Sequence, residues 1–377
     1  MPSLPSHATL RSQGISAALT LSQWHDRSTG LYFVAGSPEK AGDTPLWWNS
    51  ASALTAMIDH ASLRDSADIA ADIAAEVAHT YASAQRASIS GNAPHTNFIN
   101  DFYDDEGWWA LAWIRAFDAT GNSAEYLSMA ETIFSDMTGG WDAATCGGGI
   151  WWSKARTYKN AIANELFLAV AAALALRTSD PSYQDWASQA WAWFRDSGMI
   201  NAEGLVNDGL KPAPGCANNG QPTWTYNQGV ILGALCDAYL ALGDPSCLDA
   251  AGTIADAATG ILVDASGILT EPIAWKATPG SLDAPQFKGI FMRNLARLFE
   301  ETANPAHGHF ILRNAAALWQ YDCDIVPGGS PQGETCAFFG MNWSGPVDSH
   351  DFVRQSSALD ALNAAARVRR SQENAEA

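Results

Sequence analysis

Residues 100–113 read NDFYDDEGWWALAW, and this stretch joins a group of acidic side chains to an apolar run. The spacing of Trp, Leu and Ala predicts a helix over 106–119, with Asp104 and Asp105 on the extended turn that leads into it. Carboxyl groups exchange protons or attack carbon, and flat indole faces pack against the C–H faces of a sugar ring. The stretch therefore indicates carbohydrate chemistry at the start of a helix.

Other predicted helices along the chain also begin on aromatic and polar residues. Apolar periodicity and stop patterns predict about twelve helices and almost no strand. The helices form six pairs, predicted at 6–24 with 48–63, 66–87 with 106–119, 123–137 with 160–177, 182–196 with 227–242, 246–259 with 286–300, and 305–321 with 354–368. The first helix of a pair usually opens on Ser or Pro and has a polar face, whereas the second opens on aromatic and polar residues.

This alternation predicts an all-α (α/α)6 barrel, in which six inner helices are ringed by six outer ones. Long connections at 138–158, 200–224, 265–285 and 323–351 precede inner helices, so we expect them to wall a funnel. An open solenoid is the alternative, but the chain lacks self-similarity at roughly 34 to 47 residues. No segment resembles a linker, and a single domain over residues 1–377 is expected.

The amino-acid composition indicates which classes of partner and which cellular compartment to expect. With 47% hydrophobic and 16% charged residues the chain can bury a large core, and its net charge of -19 argues against nucleic acid. No apolar run approaches the roughly 18 residues of a membrane span. Six cysteines are compatible with an oxidising compartment, with Cys323 and Cys336 as the expected disulfide. We expect a secreted or cell-surface monomer, although no signal peptide is visible.

The adjacent pair Asp104 and Asp105 suits a retaining glycosidase, which needs two carboxyl groups about 5 to 5.5 Å apart. Like charges at this distance disfavour ionising both groups, which suits one of them to donate a proton. One alternative is an acidic helix cap, and another is a site for magnesium or calcium. The chain has neither EF-hand spacing nor a second Asp-rich segment, so no metal and no cofactor are expected.

Further residues at the helix starts and in the long loops are candidates for contact with a sugar. They supply aromatic faces or hydrogen-bonding groups, although helix caps, turns and core-covering tryptophans are the ordinary alternatives. The candidates are Asn49, Tyr103, Trp108, Trp151, Trp152, Asn160, Asp208, Tyr226, Asn227, Gln228, Phe287 and Lys288.

Five ordered motifs resemble glycoside hydrolase family 76, the α-1,6-mannanases. They are YDDEGWWALA from Tyr103, GGGIWW from Gly147, KNAIANEL from Lys159, TYNQG from Thr225 and FKGIF from Phe287. The resemblance implies an (α/α)6 barrel and retaining, endo-type cleavage of α-1,6-mannan, with Asp104 as nucleophile and Asp105 as acid/base. It also implies that Asp208 lies near the reactive sugar.

Other functions remain open at the level of sequence. Relatives of similar sequence in fungal cell walls act as transglycosylases on mannose-containing anchor glycans, and both reactions pass through a glycosyl-enzyme. The rival from another class is a non-catalytic barrel that binds mannan. A sugar epimerase or a lyase on the same barrel would need His or Tyr for proton transfer.

Overall fold

The structure is a computed structural model that describes residues 4–34, 45–64, 67–86, 96–212, 215–272 and 282–376. These ranges contain twelve α-helices, namely α1 (His7–Leu21), α2 (Trp47–Ser62), α3 (Ala67–Ser83), α4 (Tyr103–Ala119), α5 (Ala124–Thr138), α6 (Ala161–Ala175), α7 (Ser182–Asp196), α8 (Thr225–Leu242), α9 (Ser246–Ile261), α10 (Ala284–Thr302), α11 (Pro305–Tyr321) and α12 (Phe352–Glu376). Three antiparallel two-stranded sheets join β1 (His25–Asp26) to β2 (Leu31–Tyr32), β3 (Leu210–Lys211) to β4 (Ala217–Asn218), and β5 (Cys323–Val326) to β6 (Cys336–Phe339).

The chain divides into two compact units. The terminal unit comprises Met1–Gly91 and Leu262–Ala377, and the central unit comprises Asn92–Ile261. The single domain expected over residues 1–377 stays a prediction.

The central unit shows the predicted alternation of buried and half-exposed helices. Helices α4, α6 and α8 are largely buried and pack in that order, whereas α5, α7 and α9 bury one side. In α6 every residue from Ala161 to Leu174 is buried, as expected of a helix that is apolar nearly all round. A Cβ at Gly107 of α4 would lie only 2.6 Å from Leu166 Cβ, so glycine permits the close approach of α4 to α6.

The terminal unit repeats the alternation. Helices α2, α10 and α12 are mostly buried, and α12 packs against α10, α1, α11 and α2. Helix α12 continues past the predicted end at Val368 to Glu376, where the apolar pattern has stopped and the side chains of residues 369–375 are exposed or half-exposed.

The twelve predicted helices are confirmed within a few residues at most ends. Helix α4 is an exception that matters, because it begins at Tyr103 rather than Glu106. The prediction that Asp104 and Asp105 lie on an extended turn is therefore wrong, since both are in the first helical turn.

The predicted disulfide is also wrong. In the β5–β6 hairpin Cys323 pairs with Phe339 and Cys336 pairs with Val326, so the two cysteines lie at opposite ends of the ladder. Both are free thiols. The disulfide instead joins Cys146 to Cys216, 70 positions apart in sequence.

Candidate active site

The acidic pair lies in the first turn of α4, where both side chains are half-exposed. The residue before the helix, Phe102, has an extended backbone, and no side chain among the described residues caps the helix. Asp104 and Asp105 therefore do not serve as caps. Consecutive helical residues point about 100° apart, and the two carboxyl groups accordingly bind different partners.

Asp104 faces the long loop between α5 and α6. Its Oδ2 accepts a hydrogen bond of 2.9 Å from the indole Nε1 of Trp152. The backbone joins the two segments as well, because the Tyr103 amide donates to the Trp152 carbonyl at 2.9 Å. The Trp152 amide in turn donates to the Tyr158 carbonyl at 2.7 Å. The partner of Asp104 is thus fixed by main-chain bonds on both sides.

Asp105 faces the segment that precedes α4. Its Oδ2 accepts a 2.6 Å hydrogen bond from the Asn100 amide nitrogen. Asn100 is only 5% exposed, and its Oδ1 accepts from the Phe102 amide at 2.8 Å. Asn100 was not among the residues predicted from the sequence, although an Asn three residues before the start of a helix is a recognisable Asx-turn pattern.

Glu106 was also missed. It is fully buried. Its Oε1 accepts a hydrogen bond from the backbone N–H of Asn100 at 3.3 Å and from Lys154 Nζ at 3.1 Å. Lys154 Nζ also pairs with Asp136 Oδ2 at 2.7 Å. Burial, and next the nearby Asp136 carboxylate, raise the pKa of Glu106 to about 9 against the opposing effect of Lys154.

This shift predicts that Glu106 makes stability fall as the pH rises. The folded pKa of about 9 exceeds the ordinary glutamate pKa of 4.5, so between these values the unfolded chain loses a proton that the folded chain keeps. The stabilisation is complete below about pH 4.5, and each pH unit toward 9 removes up to about 1.4 kcal/mol. We expect Glu106→Gln to remove this dependence on pH. In urea unfolding at pH 5, 7 and 8.5, the free energy of unfolding of the variant should therefore rise relative to that of the wild type as the pH increases. If the free energies of unfolding of wild type and variant changed equally with pH, the raised pKa of Glu106 would be contradicted.

Asp208 is held by aromatic donors. Tyr158 Oη donates to its Oδ2 at 2.5 Å and itself accepts from Asn219 Nδ2 at 2.8 Å, and the Trp224 side chain is a second donor to Asp208. Burial raises the pKa of Asp208, while the bonds from Tyr158 and Trp224 oppose the rise. The Trp152 and Tyr158 rings pack edge to face at 6.4 Å, so the donors to Asp104 and Asp208 are in contact.

The backbone around Asp208 is joined to the start of α6. The Ala161 amide donates to the Asp208 carbonyl at 2.8 Å, and the Leu210 amide donates to the Lys159 carbonyl at 3.0 Å. A Cβ at Gly209 would lie 2.6 Å from Tyr158 Oη and 2.7 Å from the Lys159 carbonyl oxygen. Only glycine fits this close approach.

The glycine-rich segment of the α5–α6 loop is organised around Lys159. This lysine is fully buried, and its ammonium donates to the carbonyls of Asp142, Thr145 and Gly148 at 2.7, 2.6 and 2.6 Å. Burial lowers the pKa of Lys159 to about 8. These three carbonyls therefore take the protons of the Lys159 ammonium.

The candidates for sugar contact in the central unit differ in exposure. Tyr103, Trp108, Trp151, Asn160, Asn227 and Gln228 are buried, whereas Trp152, Asp208 and Tyr226 are half-exposed. Asn160 caps α6 by accepting from the Ala163 amide, and Gln228 bonds both backbone groups of Val206. Contact of each residue with a sugar stays a prediction.

The three candidates in the terminal unit are all buried. Asn49 donates its amide to Gln286 Oε1 at 2.9 Å, and the Phe287 ring stacks on Trp48. Lys288 Nζ donates to the Met341 carbonyl at 2.6 Å. Burial lowers the pKa of Lys288 to about 8. Their contact with a sugar likewise stays a prediction.

No described helix is both long enough and apolar enough to cross a membrane. Among the same residues, His, Cys, Asp and Glu form no group of three or more that could hold a metal ion.

The chain matches known proteins over most of its length. The family model for Glycosyl hydrolase family 76 matches residues 11–375. A mannan endo-1,6-alpha-mannosidase of Candida albicans is 27% identical, covering 84% of this chain and 72% of that protein. A Saccharomyces cerevisiae protein of the same name is 27% identical, covering 85% and 72%.

A solved structure shows the fold. It is an inactive variant of the Salegentibacter alpha-1,6-mannanase, with two consecutive aspartates changed to asparagine, in complex with alpha-1,6-mannotriose. The TM-score is 0.78 at 22% identity, covering 95% of this chain and 99% of that chain. The predicted all-α (α/α)6 barrel fold is confirmed by this likeness.

Proposed function

We propose that this chain, which belongs to glycosyl hydrolase family 76 and is therefore a glycoside hydrolase, cleaves α-1,6-mannosidic linkages in α-mannan. We further propose that it acts within the polymer and retains anomeric configuration. The names of the Candida and Saccharomyces relatives and the mannotriose bound by the Salegentibacter enzyme support this substrate. The observation that carries the proposal is the acidic pair at the start of α4, each member with its own donor.

In the proposed mechanism Asp104 attacks the anomeric carbon while Asp105 protonates the departing oxygen, which gives a mannosyl ester on Asp104. Asp105, now a carboxylate, then takes a proton from water as the water oxygen attacks the anomeric carbon, which breaks the bond to Asp104 and releases it as a carboxylate. The Trp152 N–H holds the Asp104 carboxylate in place, and the assignment of nucleophile and acid within the pair follows the resemblance to the family. The required separation of about 5 to 5.5 Å between the carboxyl groups remains a prediction.

Asp208 is the proposed acceptor for sugar hydroxyls. Tyr158 and Trp224 hold its carboxyl group, and its half-exposed side chain keeps room for a further hydrogen bond. Trp152, which packs against Tyr158, is the proposed aromatic surface beside it.

The test is incubation of the folded chain with α-1,6-mannotetraose and with reducing-end-labelled longer chains. Internal cleavage of the labelled chains, with the α-anomer formed first by NMR, supports a retaining endo-enzyme. Matched α-1,2- and α-1,3-linked tetraoses are the control and should stay intact. Absence of cleavage or transfer on the α-1,6 substrates, by protein shown to be folded, would overturn the proposal.

The same incubation distinguishes transglycosylation from hydrolysis. A glycosyl-enzyme is resolved either by water or by a sugar hydroxyl, so excess mannobiose acceptor should leave hydrolysis products dominant if the proposal holds. Predominant transfer would instead indicate remodelling of cell-wall or anchor glycans. Tight binding of mannan without any product would indicate the non-catalytic barrel.

We also propose a secreted or cell-surface location and a monomeric state. The Cys146–Cys216 disulfide supports an oxidising compartment, because disulfides persist mainly outside reducing cytosol. Sedimentation of the purified chain tests the monomer.

A further inference from the structure

We propose that Asn100, Glu106 and Lys154 form a positioning relay that orients the carboxyl group of Asp105 for proton transfer. The inference rests on the proposed function, in which Asp105 is the acid/base. None of the three residues is assigned to contact substrate; they act through Asp105.

Asn100 is the central member, because its backbone N–H and both polar atoms of its side chain each make a hydrogen bond. Its Nδ2 donates to Asp105 Oδ2 at 2.6 Å, its Oδ1 accepts from the Phe102 amide at 2.8 Å, and its own amide donates to Glu106 Oε1 at 3.3 Å. A side chain held at both ends of its amide cannot rotate without breaking a bond at a site that is 5% exposed. The position of Nδ2 is therefore determined by the backbone.

Glu106 and Lys154 fix Asn100 from the other side. Glu106 Oε1 accepts from both the Asn100 amide and Lys154 Nζ, so one oxygen joins the two. Lys154 is itself fixed, because its amide donates to the Asp101 carbonyl at 2.9 Å and its ammonium pairs with Asp136 at 2.7 Å. The ammonium also lies 5.6 Å from the centroid of the Tyr103 ring.

The relay affects catalysis through the orientation of the Asp105 carboxyl group. A general acid must hold its proton within hydrogen-bond reach of the leaving oxygen, and the bond from Asn100 to Oδ2 sets the rotation of the Asp105 carboxyl plane. The bonds shown for the relay lead to Asp105, whereas the donor shown for Asp104 is Trp152. Loss of the relay should therefore impair protonation of the leaving group more than attack by the nucleophile.

The leaving group supplies the test. A sugar leaving group needs protonation, whereas 2,4-dinitrophenolate departs without it, so we compare kcat/KM for α-1,6-mannotetraose and for 2,4-dinitrophenyl α-mannoside. Asn100→Ala should lower the value for mannotetraose by about 10²-fold and that for the aryl mannoside by no more than about threefold. Glu106→Leu should give the same pattern, and Glu106→Gln, which keeps an acceptor oxygen, should restore most of the loss. Lys154→Met, on a side chain already 32% exposed, is the second variant if Glu106→Leu does not fold.

The matched control is Asn314→Ala. Asn314 is also buried, on α11, where its Oδ1 accepts from the Leu269 amide, and its loss should affect both substrates alike. Equal losses on the two substrates for folded Asn100→Ala, or no loss on either, would overturn the relay alone. A folded wild-type chain that turns over neither substrate would overturn the proposed function, and the relay with it.

Discussion

Replacing Asp104 or Asp105 by asparagine is expected to lower kcat on α-1,6-mannotetraose by about 10³-fold or more. An amide neither attacks the anomeric carbon nor donates an acidic proton, so each change removes one of the two chemical steps. Asparagine keeps the shape of the side chain and an oxygen that accepts from Trp152 or from Asn100. The free energy of unfolding should therefore change by less than about 1 kcal/mol.

The two variants should differ from each other in a way that assigns the roles. With an activated aryl mannoside, Asp105→Asn should still form the glycosyl-enzyme, and azide should speed its breakdown because an anionic nucleophile needs no general base. Asp104→Asn should be inactive on both substrates. The opposite pattern would exchange the roles of the pair.

Asp118→Asn is the matched control. Asp118 lies on the same helix at its other end and pairs with Arg177 at 2.6 Å, so its replacement should leave kcat unchanged. Folded Asp104→Asn or Asp105→Asn protein with a tenth or more of wild-type turnover would refute the assigned pair.

Replacing Lys159 by methionine is expected to lower the free energy of unfolding by about 3 to 5 kcal/mol. The methionine side chain has nearly the same length, so it leaves little cavity but removes the only ammonium that the three carbonyls of Asp142, Thr145 and Gly148 are shown to share. Buried carbonyls that lose their donor cost about 1 to 3 kcal/mol each, and partial rearrangement of the loop would recover some of this.

Urea unfolding at pH 7 measures the effect, with Lys211→Met as the control. Lys211 is exposed on β3, so its replacement should change the free energy of unfolding by less than about 0.5 kcal/mol. A loss below about 1 kcal/mol for Lys159→Met would show that water or other donors satisfy the carbonyls. A displaced loop should also weaken mannan binding, because Trp152 lies on the same connection.

The helices and the acidic pair could be predicted because residues close together in the sequence determine both. A helix such as α6 has apolar residues on every side over four turns, and no other element suits that pattern. The start of α4 was misplaced because no capping side chain marks it; the turn is fixed by Tyr103 bonding to the Trp152 carbonyl.

The long-range partners in the site could not be predicted, because they are set by tertiary contacts; Trp152, for example, bonds Asp104 from 48 positions away. Lys154 reaches Glu106 from 48 positions away, and Cys146 finds Cys216 across 70 positions. Nothing near either residue in sequence indicates its partner. The amides at helix starts pose a related difficulty, since Gln228 bonds a neighbouring loop backbone where sequence alone suggested a donor for sugar.

The Cys146–Cys216 disulfide has a consequence for protein engineering. It covalently joins the connection that carries Trp152 to the one that carries Asp208, and a β-bridge between Asn160 and Gly209 joins them again. Grafting one of these connections from a relative would break both links at once. Changes of glycan preference are therefore best built by transplanting the two connections together, as a single cassette with its own cysteines.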